Sequence, residues 1–362
     1  MNRFAFIIHP LDPKRDVQRK FPLLGKVLPV PLINFFSTFF PAVYLSKVEG
    51  VTSQATGEQV EGWLLACPLT AARMLELPER IVYHKVIQTG RLAERLGAQL
   101  LGLGAFTSVV GDGGLTIARA LDVPVTTGDA YTIAVAVDAL LEAARAVGLP
   151  VERVPAAVVG ASGAIGRVCA SLLAERVEHL ILIAPRRSEL ERVASALRSH
   201  SAARLSLSTE VTDVAQARMV LTVSSAARAI IRPEHLAPGS VVCDVARPRD
   251  VSAMVAAVRP DVLVIDGGVV SVPGPVDFHF DFGLPPGMTY ACMAETMALA
   301  LEGRLEDYTL GKQIERWRVD EISAIARRHG FTLGGFRSFE KPVSEAQIEA
   351  VRRVVAHHYP PA

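Results

Sequence analysis

The stretch Ala156-Ala157-Val158-Val159-Gly160-Ala161-Ser162-Gly163-Ala164-Ile165-Gly166 decides the fold class of this chain. Its first four residues are small or β-branched and apolar, which reads as a buried strand, and Ile165 to Glu175 reads as the helix that follows the glycine turn. Gly160 permits the tight turn, Gly163 lets the backbone approach an anion, and Gly166 lets the helix pack closely on its strand. The unpaired N–H groups at the helix start favour a pyrophosphate. Outward from this unit, strand-like runs at Leu180 to Ala184, Val220 to Val223, Val241 to Val245 and Val262 to Asp266 alternate with helical segments. That alternation predicts an α/β chain whose residues 151–275 form a Rossmann-type, doubly wound parallel sheet.

The residues after the second strand choose the cofactor. An acidic side chain there binds the adenosine ribose hydroxyls of NAD and repels a 2′-phosphate. Here the run is Ala184-Pro185-Arg186-Arg187-Ser188, and a guanidinium fork suits phosphate oxygens. NADPH is therefore expected, with Gly160, Ser162, Gly163, Ala164, Ile165 and Gly166 forming the loop and Arg186 leading at the phosphate. Arg187 or Ser188 would assist.

Two regions flank this domain. Residues 1–150 mix strand-like runs (Phe4 to Ile8, Gln99 to Leu103) with helical periodicity over Arg80 to Leu96, an N-terminal α/β domain expected to bind substrate. Within it, Thr126-Thr127-Gly128-Asp129 precedes a long alanine-rich helix, Ala130 to Val147, whose polar start suits capping. Residues 276–362 read as a C-terminal helical region, with helices at Thr289 to Leu301 and Gly311 to His329, stops at Gly303 and Gly330, and a charged tail that includes Ser344 to His358. By analogy with two-domain dehydrogenases, such late helices cross back to line an interdomain cleft.

Composition narrows the classes. The 362 residues are half hydrophobic with a net charge of +1, which suits a globular protein and disfavours broad nucleic-acid binding. The four cysteines, Cys67, Cys169, Cys243 and Cys292, lie far apart with no metal-ligand spacing, so no metal site is expected and a reducing cytoplasm fits. The first ten residues lack the apolar core of a signal peptide. The aromatic run from Phe21 to Leu45 is broken by Pro22, Lys26, Pro29, Pro31 and Pro41 into pieces too short to span a bilayer. It reads as buried or interfacial, compatible with a peripheral membrane contact, and its Phe35 to Phe40 portion offers apolar area for a chain-like substrate.

Cys292 is the candidate nucleophile. It falls in the opening turn of a helix after Pro285-Pro286-Gly287, where unpaired N–H groups are expected to stabilise thiolate over thiol. A thiolate attacks activated acyl groups, and the resulting thioester accepts hydride to release an aldehyde. Cys169 and Cys243 read as core residues, and Cys67, before Pro68 in an exposed-looking turn, as a weaker second nucleophile. Glu295 and His279 are acid/base candidates, each also readable as an ordinary helix-face or loop residue.

Several motifs together resemble the cyanobacterial-type long-chain fatty acyl-[acyl-carrier-protein] reductases. They are Thr52-Ser53-Gln54-Ala55-Thr56-Gly57, Cys67-Pro68-Leu69, Gly104-Ala105-Phe106-Thr107-Ser108, Thr126-Thr127-Gly128, the loop from Val158 to Gly166, and Asp266-Gly267-Gly268-Val269-Val270. Most telling are Tyr290-Ala291-Cys292-Met293-Ala294-Glu295 and Leu301-Glu302-Gly303, which resemble the segment carrying that family's acyl-accepting cysteine. The resemblance implies reduction of a fatty acyl thioester, carried by acyl-carrier protein or CoA, to an aldehyde with NADPH through Cys292. Phe106, Thr107, Ser108, Thr127 and Asp129 become candidate substrate or oxyanion contacts. The chain departs from the family at Asp129, where asparagine is usual, at Pro185, at Ala246-Arg247-Pro248 and across Phe21 to Leu45. Basic runs at Arg15 to Lys20 and Arg316 to Arg328 offer steering for an acidic carrier, or simply solvated helix faces. The competing readings are a shikimate-dehydrogenase-like oxidoreductase of a small ketone or alcohol, and a sensor that binds NADPH without turnover.

Overall fold

The computed structural model describes residues 1–226 and 228–359, and the last three residues of the expected C-terminal region lie outside the described residues. Two compact units account for the chain: Met1–Tyr131 with Val270–Thr332, and Thr132–Val269 with Leu333 onward. The first unit is built on a five-stranded sheet of β1 (Arg3–Ile8), β2 (Val43–Thr52), β3 (Gln59–Ala66), β4 (Leu100–Leu103) and β5 (Val125–Thr126), in the order β2-β3-β1-β4-β5. Only β2 runs antiparallel to its neighbour. Its central strands read as continuous apolar runs, RFAFII and LLGL, because helices cover both faces. One core packs Ile7, Leu65, Leu101 and Leu103 against Val82 and Val86 of the helix Glu79–Arg95.

The second unit carries six parallel strands: β6 (Ala156–Val159), β7 (His179–Ile183), β8 (Arg204–Ser208), β9 (Met219–Thr222), β10 (Val241–Asp244) and β11 (Leu263–Asp266). Their order, β11-β10-β9-β6-β7-β8, reverses at β6 and is the Rossmann arrangement expected from sequence. β8 escaped the sequence reading because its residues, RLSLS, alternate serine with leucine on an outer strand. The charged tail folds as a helix, Glu345–His358, started by a reciprocal Ser344–Gln347 capping box and tied down by Arg352, whose Nη2 donates to Ala146 O at 2.9 Å.

The helices expected near the C-terminus start later than their apolar periodicity suggested, at Ala291–Glu302 and Arg316–His329, and end at the predicted glycines. Gly303 and Gly330 both take the left-handed conformation that closes a helix. Ten of the twelve residues in Ala291–Glu302 are buried, and this helix packs on the first sheet. Gly102 of β4 makes the approach feasible: a Cβ there would lie 2.1 Å from Thr296 Oγ1.

Phe21 to Leu45 is only partly buried. After the helix Pro13–Lys20 it folds as the short helices Pro22–Val27 and Val30–Ser37 and the start of β2, buries Ile33 and Leu45, and leaves Leu23, Val27, Phe35, Phe36, Phe39 and Phe40 exposed. The closely spaced prolines keep each helix too short to bury a full face. Among the described residues, no helix is long and apolar enough to cross a membrane.

Candidate active site

The N-terminal turn of Ala291–Glu302 places Cys292 one residue past the first helical position, with Tyr290 as N-cap. Cys292 is partly exposed, unlike the other three cysteines. Gly128, at φ 75°, lies directly on it: a Cβ at Gly128 would sit 2.3 Å from Cys292 Cα and 2.5 Å from its Cβ. The glycine is thus required both for its left-handed backbone and for this close approach. Asp129 follows at once, in the first turn of the helix Asp129–Ala146.

Glu295, one turn along from Cys292, is fully buried and holds these pieces together. Its Oε1 accepts from Thr126 Oγ1 at 2.5 Å and Thr309 Oγ1 at 2.8 Å, and its Oε2 accepts the Tyr131 backbone N–H at 2.8 Å. Tyr131 N is one of the donors at the start of Asp129–Ala146 for which the helix itself offers no acceptor. The sequence suggested a local polar cap for that helix; in the fold, a carboxylate from a helix more than 160 residues away supplies one. Glu295 is therefore a clamp whose acceptors are occupied, rather than the acid/base group or helix-face charge expected. Thr127 completes the frame, donating its N–H to Thr309 O at 2.9 Å and its hydroxyl to the same oxygen at 3.1 Å.

The electrostatics reverse one expectation. The helix N-terminus was expected to stabilise the Cys292 thiolate, and backbone N–H groups do act in that direction. Burial and the Asp129 and Glu295 carboxyls act the other way and prevail, pushing the thiol up to about 12. Partial helix charges are outweighed by whole charges in a poorly solvated setting. Asp129 is itself raised to about 7 by burial and by Glu295, opposed by the Thr127 side chain. Burial also raises Glu295, opposed by its hydrogen-bond donors. The resting site holds a protonated thiol beside a carboxyl that titrates near neutrality.

The other expected groups lie in distinct settings. Phe106 is buried, its N–H donating to His9 Nε2 at 3.0 Å. Burial holds the His9 imidazole down at about 4, so it is neutral and its Nδ1–H faces Pro10 O at 3.2 Å. The Thr107 and Ser108 hydroxyls donate to Gly104 O and Ala105 O, both at 2.7 Å, and close the turn after β4. Those hydrogens are committed locally. Cys67 is 0 % exposed, not in an open turn: its N–H extends the β1–β3 ladder to Ile8 O at 2.9 Å, and burial raises its thiol to about 11. Cys169 and Cys243 are buried as expected, Cys243 Sγ donating to Ala136 O at 3.5 Å. His279 is a loop residue held between Glu49 and Asp277 at 3.2 Å each.

In the second unit the glycine loop leaves its helix N-terminus open. Gly160 takes φ 85°, and a Cβ there would meet Val223 O at 2.8 Å. One on Gly166 would strike Gly160 O at 2.1 Å, whereas one on Gly163, the N-cap of Ala164–Ala174, meets only Gly160 O at 3.2 Å. The cradle is thus tight beneath and open above the helix N-terminus, as a pyrophosphate requires. Ser162 lies in the loop, and Ala164 and Ile165 open the helix. Arg186 caps the next helix, Arg187–Arg198, with its side chain 71 % exposed and paired to Glu189 at 2.7 Å. Arg187 pairs with Glu191 at 3.3 Å and donates to Leu207 O at 2.8 Å. Sequence reasoning passed over Glu189, whose carboxylate also accepts from the Ser162 side chain and is held below its ordinary range chiefly by Arg186. Among the described residues no cluster has the makings of a metal site.

Residues 142–266 match the family model described as Shikimate / quinate 5-dehydrogenase. The chain is 32% identical over 351 residues to "Aminotransferase PigE" of a Serratia species, across 95% of this chain but only 38% of that longer protein. It is 27% identical over 318 residues to the "Long-chain acyl-[acyl-carrier-protein] reductase" of Synechococcus elongatus, covering 83% of this chain and 89% of that one. Among solved structures, shikimate 5-dehydrogenase from Listeria monocytogenes aligns over 90% of this chain and 96% of its own at 12% identity and a TM-score of 0.38. L-tryptophan dehydrogenase from Nostoc punctiforme aligns over 98% of this chain and 87% of its own at 11% identity and a TM-score of 0.37. The family match falls within the Rossmann-type unit and takes in its glycine cradle.

Proposed function

We propose that this chain reduces a fatty acyl thioester, delivered by acyl-carrier protein or CoA, to an aldehyde, using NADPH and an acyl-enzyme at Cys292. The observation that carries the reading is the pairing of a cysteine at a helix N-terminus, the one cysteine of the four that is not fully buried, with a carboxyl, Asp129, raised to about 7. The 27% identity to an acyl-[acyl-carrier-protein] reductase supports it.

Residues of the loop from Gly160 to Gly166, with Arg186 and Arg187, would hold the dinucleotide, and when bound it supplies a hydride to an acyl carbon. The chain's own part begins at Cys292. Its sulfur bonds to the acyl carbon, the bond to the carrier sulfur breaks, and the thiol proton passes through Asp129 to the departing carrier sulfur. A carboxyl near neutral pKa suits that exchange because it both accepts and donates at working pH. Backbone N–H groups of the first helical turn are the donors available to the acyl oxygen, given that Thr107 and Ser108 donate elsewhere. Glu295 fixes the distance between the two reacting groups. Thr127 and Phe106 are assigned no chemical step.

The test is incubation with labelled acyl-acyl-carrier protein and NADPH, followed by aldehyde assay and mapping of the label. Label on Cys292 and no aldehyde from Cys292→Ala are expected. Aldehyde formation that survives this substitution, or label on Cys67, overturns the mechanism.

A further inference from the structure

The excursion from Pro13 to Phe40 takes no part in the dinucleotide loop or the frame around Cys292, and its surface is inverted. In the helix Val30–Ser37 only Ile33 and Ser37 are buried, while Leu32, Phe35 and Phe36 are exposed. A helix on a water-facing surface normally turns its polar side outward. The adjoining short helix repeats the pattern, with Leu23 80% and Val27 75% exposed, and Phe39 beyond the second is 69% exposed. The rings form one patch: Phe35 lies 5.4 Å from both Phe36 and Phe39.

The patch is anchored. Thr70 Oγ1 donates to Asn34 Oδ1, Lys85 Nζ to Phe40 O and Lys20 Nζ to Leu45 O, each at 2.8 Å. Its own run is free of acid, although Arg19 pairs with Asp16 at 2.9 Å and Lys47 with Glu49 and Glu61 at 2.7 and 2.8 Å, which leaves Lys26 as the exposed cation among the apolar side chains. From Val17 to Val48 the sequence contains no Asp or Glu but includes Arg19, Lys20, Lys26 and Lys47. Lys26 is exposed on the same short helix as Leu23 and Val27, and the exposed Lys14 and Arg15 lie on the preceding helix.

We propose that this face docks on the surface of an anionic phospholipid bilayer. Phe35, Phe36, Phe39, Leu23 and Val27 enter the boundary between headgroups and acyl chains, and the cations meet the lipid phosphates. A second copy of the chain fits less well, because a two-fold contact sets this acid-free cationic run against itself. The excursion also adjoins the approach to Cys292: Arg19 lies 3.8 Å from Asp281, and the Phe282 ring lies 6.4 Å from Tyr290, the N-cap of the cysteine's helix. The proposal stands apart from the thioester reading.

The test is flotation of the whole protein with vesicles of phosphatidylcholine alone or mixed with phosphatidylglycerol, together with sedimentation velocity. Binding to the mixed vesicles that weakens with salt is expected. Lys26→Glu should weaken it by about fivefold or more, and combined Phe35→Ser, Phe36→Ser and Phe39→Ser by on the order of a hundredfold. Should the triple variant misfold, Leu23→Ser with Val27→Ser makes the same test on another helix. Absence of flotation with mixed vesicles, or equal binding to neutral and anionic ones, overturns the proposal. So does a wild-type dimer that the triple variant converts to monomer without vesicle binding.

Discussion

Two helix N-termini, Ala164–Ala174 and Ala291–Glu302, begin alike: neither has a side-chain cap for its first N–H groups. Above the first, a Cβ on Gly163 would meet only one backbone oxygen, so an anion has room to approach. The second is closed over by Gly128, and two buried carboxyls lie near it, so the thiol there is held protonated. The backbone feature is the same. What surrounds it decides whether the terminus receives a charge or resists one.

The sharpest way to break this contrast is to open the second terminus by force. Gly128→Ala puts a methyl group 2.3 Å from Cys292 Cα at a backbone angle that alanine rarely adopts. A loss of roughly 2–4 kcal/mol in unfolding free energy is expected by denaturant titration. An unchanged midpoint would mean that the packing on Cys292 is not the constraint described.

A smaller effect should follow from removing one charge. Asp129→Asn takes away a carboxylate that holds the thiol up, so iodoacetamide labelling of Cys292 near pH 8 should quicken, by about tenfold for each unit the thiol falls. If Asp129 also passes the proton to the carrier, aldehyde formation should slow in the same variant. The sign of the stability effect is fixed too. A carboxyl raised in the folded state stabilises at low pH and loses that contribution as pH rises through its folded value. The wild type should therefore lose stability between about pH 4 and 7, and Asp129→Asn should lose less. Slower labelling in the variant would contradict the electrostatic account.

The smallest expected change lies at the open terminus. Glu189 pairs with Arg186 and reaches Ser162, and under the NADPH proposal it would compete with the 2′-phosphate for the guanidinium. Glu189→Gln should tighten NADPH several-fold while leaving NADH nearly unchanged, roughly the effect of one exposed ion pair. Fluorescence titration of both nucleotides measures it, and equal gains for the two would remove Arg186 from the phosphate.

Five of the six Rossmann strands and the glycine loop are legible in the sequence, because strand, turn and helix at the loop are contiguous and each glycine answers a local steric demand, whereas β8 is hidden by its serines. The sequence also marked the helix stops at Gly303 and Gly330, and Cys292 as a cysteine at a helix start. Tertiary structure alone decided the state of that cysteine. Asp129 and Thr126 are distant in the chain from Cys292 and Glu295, and burial with whole charges outweighs a helix end whose favourable sign is the only part visible locally. The exposed phenylalanines illustrate the same limit. Hydrophobicity can be read from composition, but which side of Val30–Ser37 meets solvent depends on what the rest of the fold leaves uncovered.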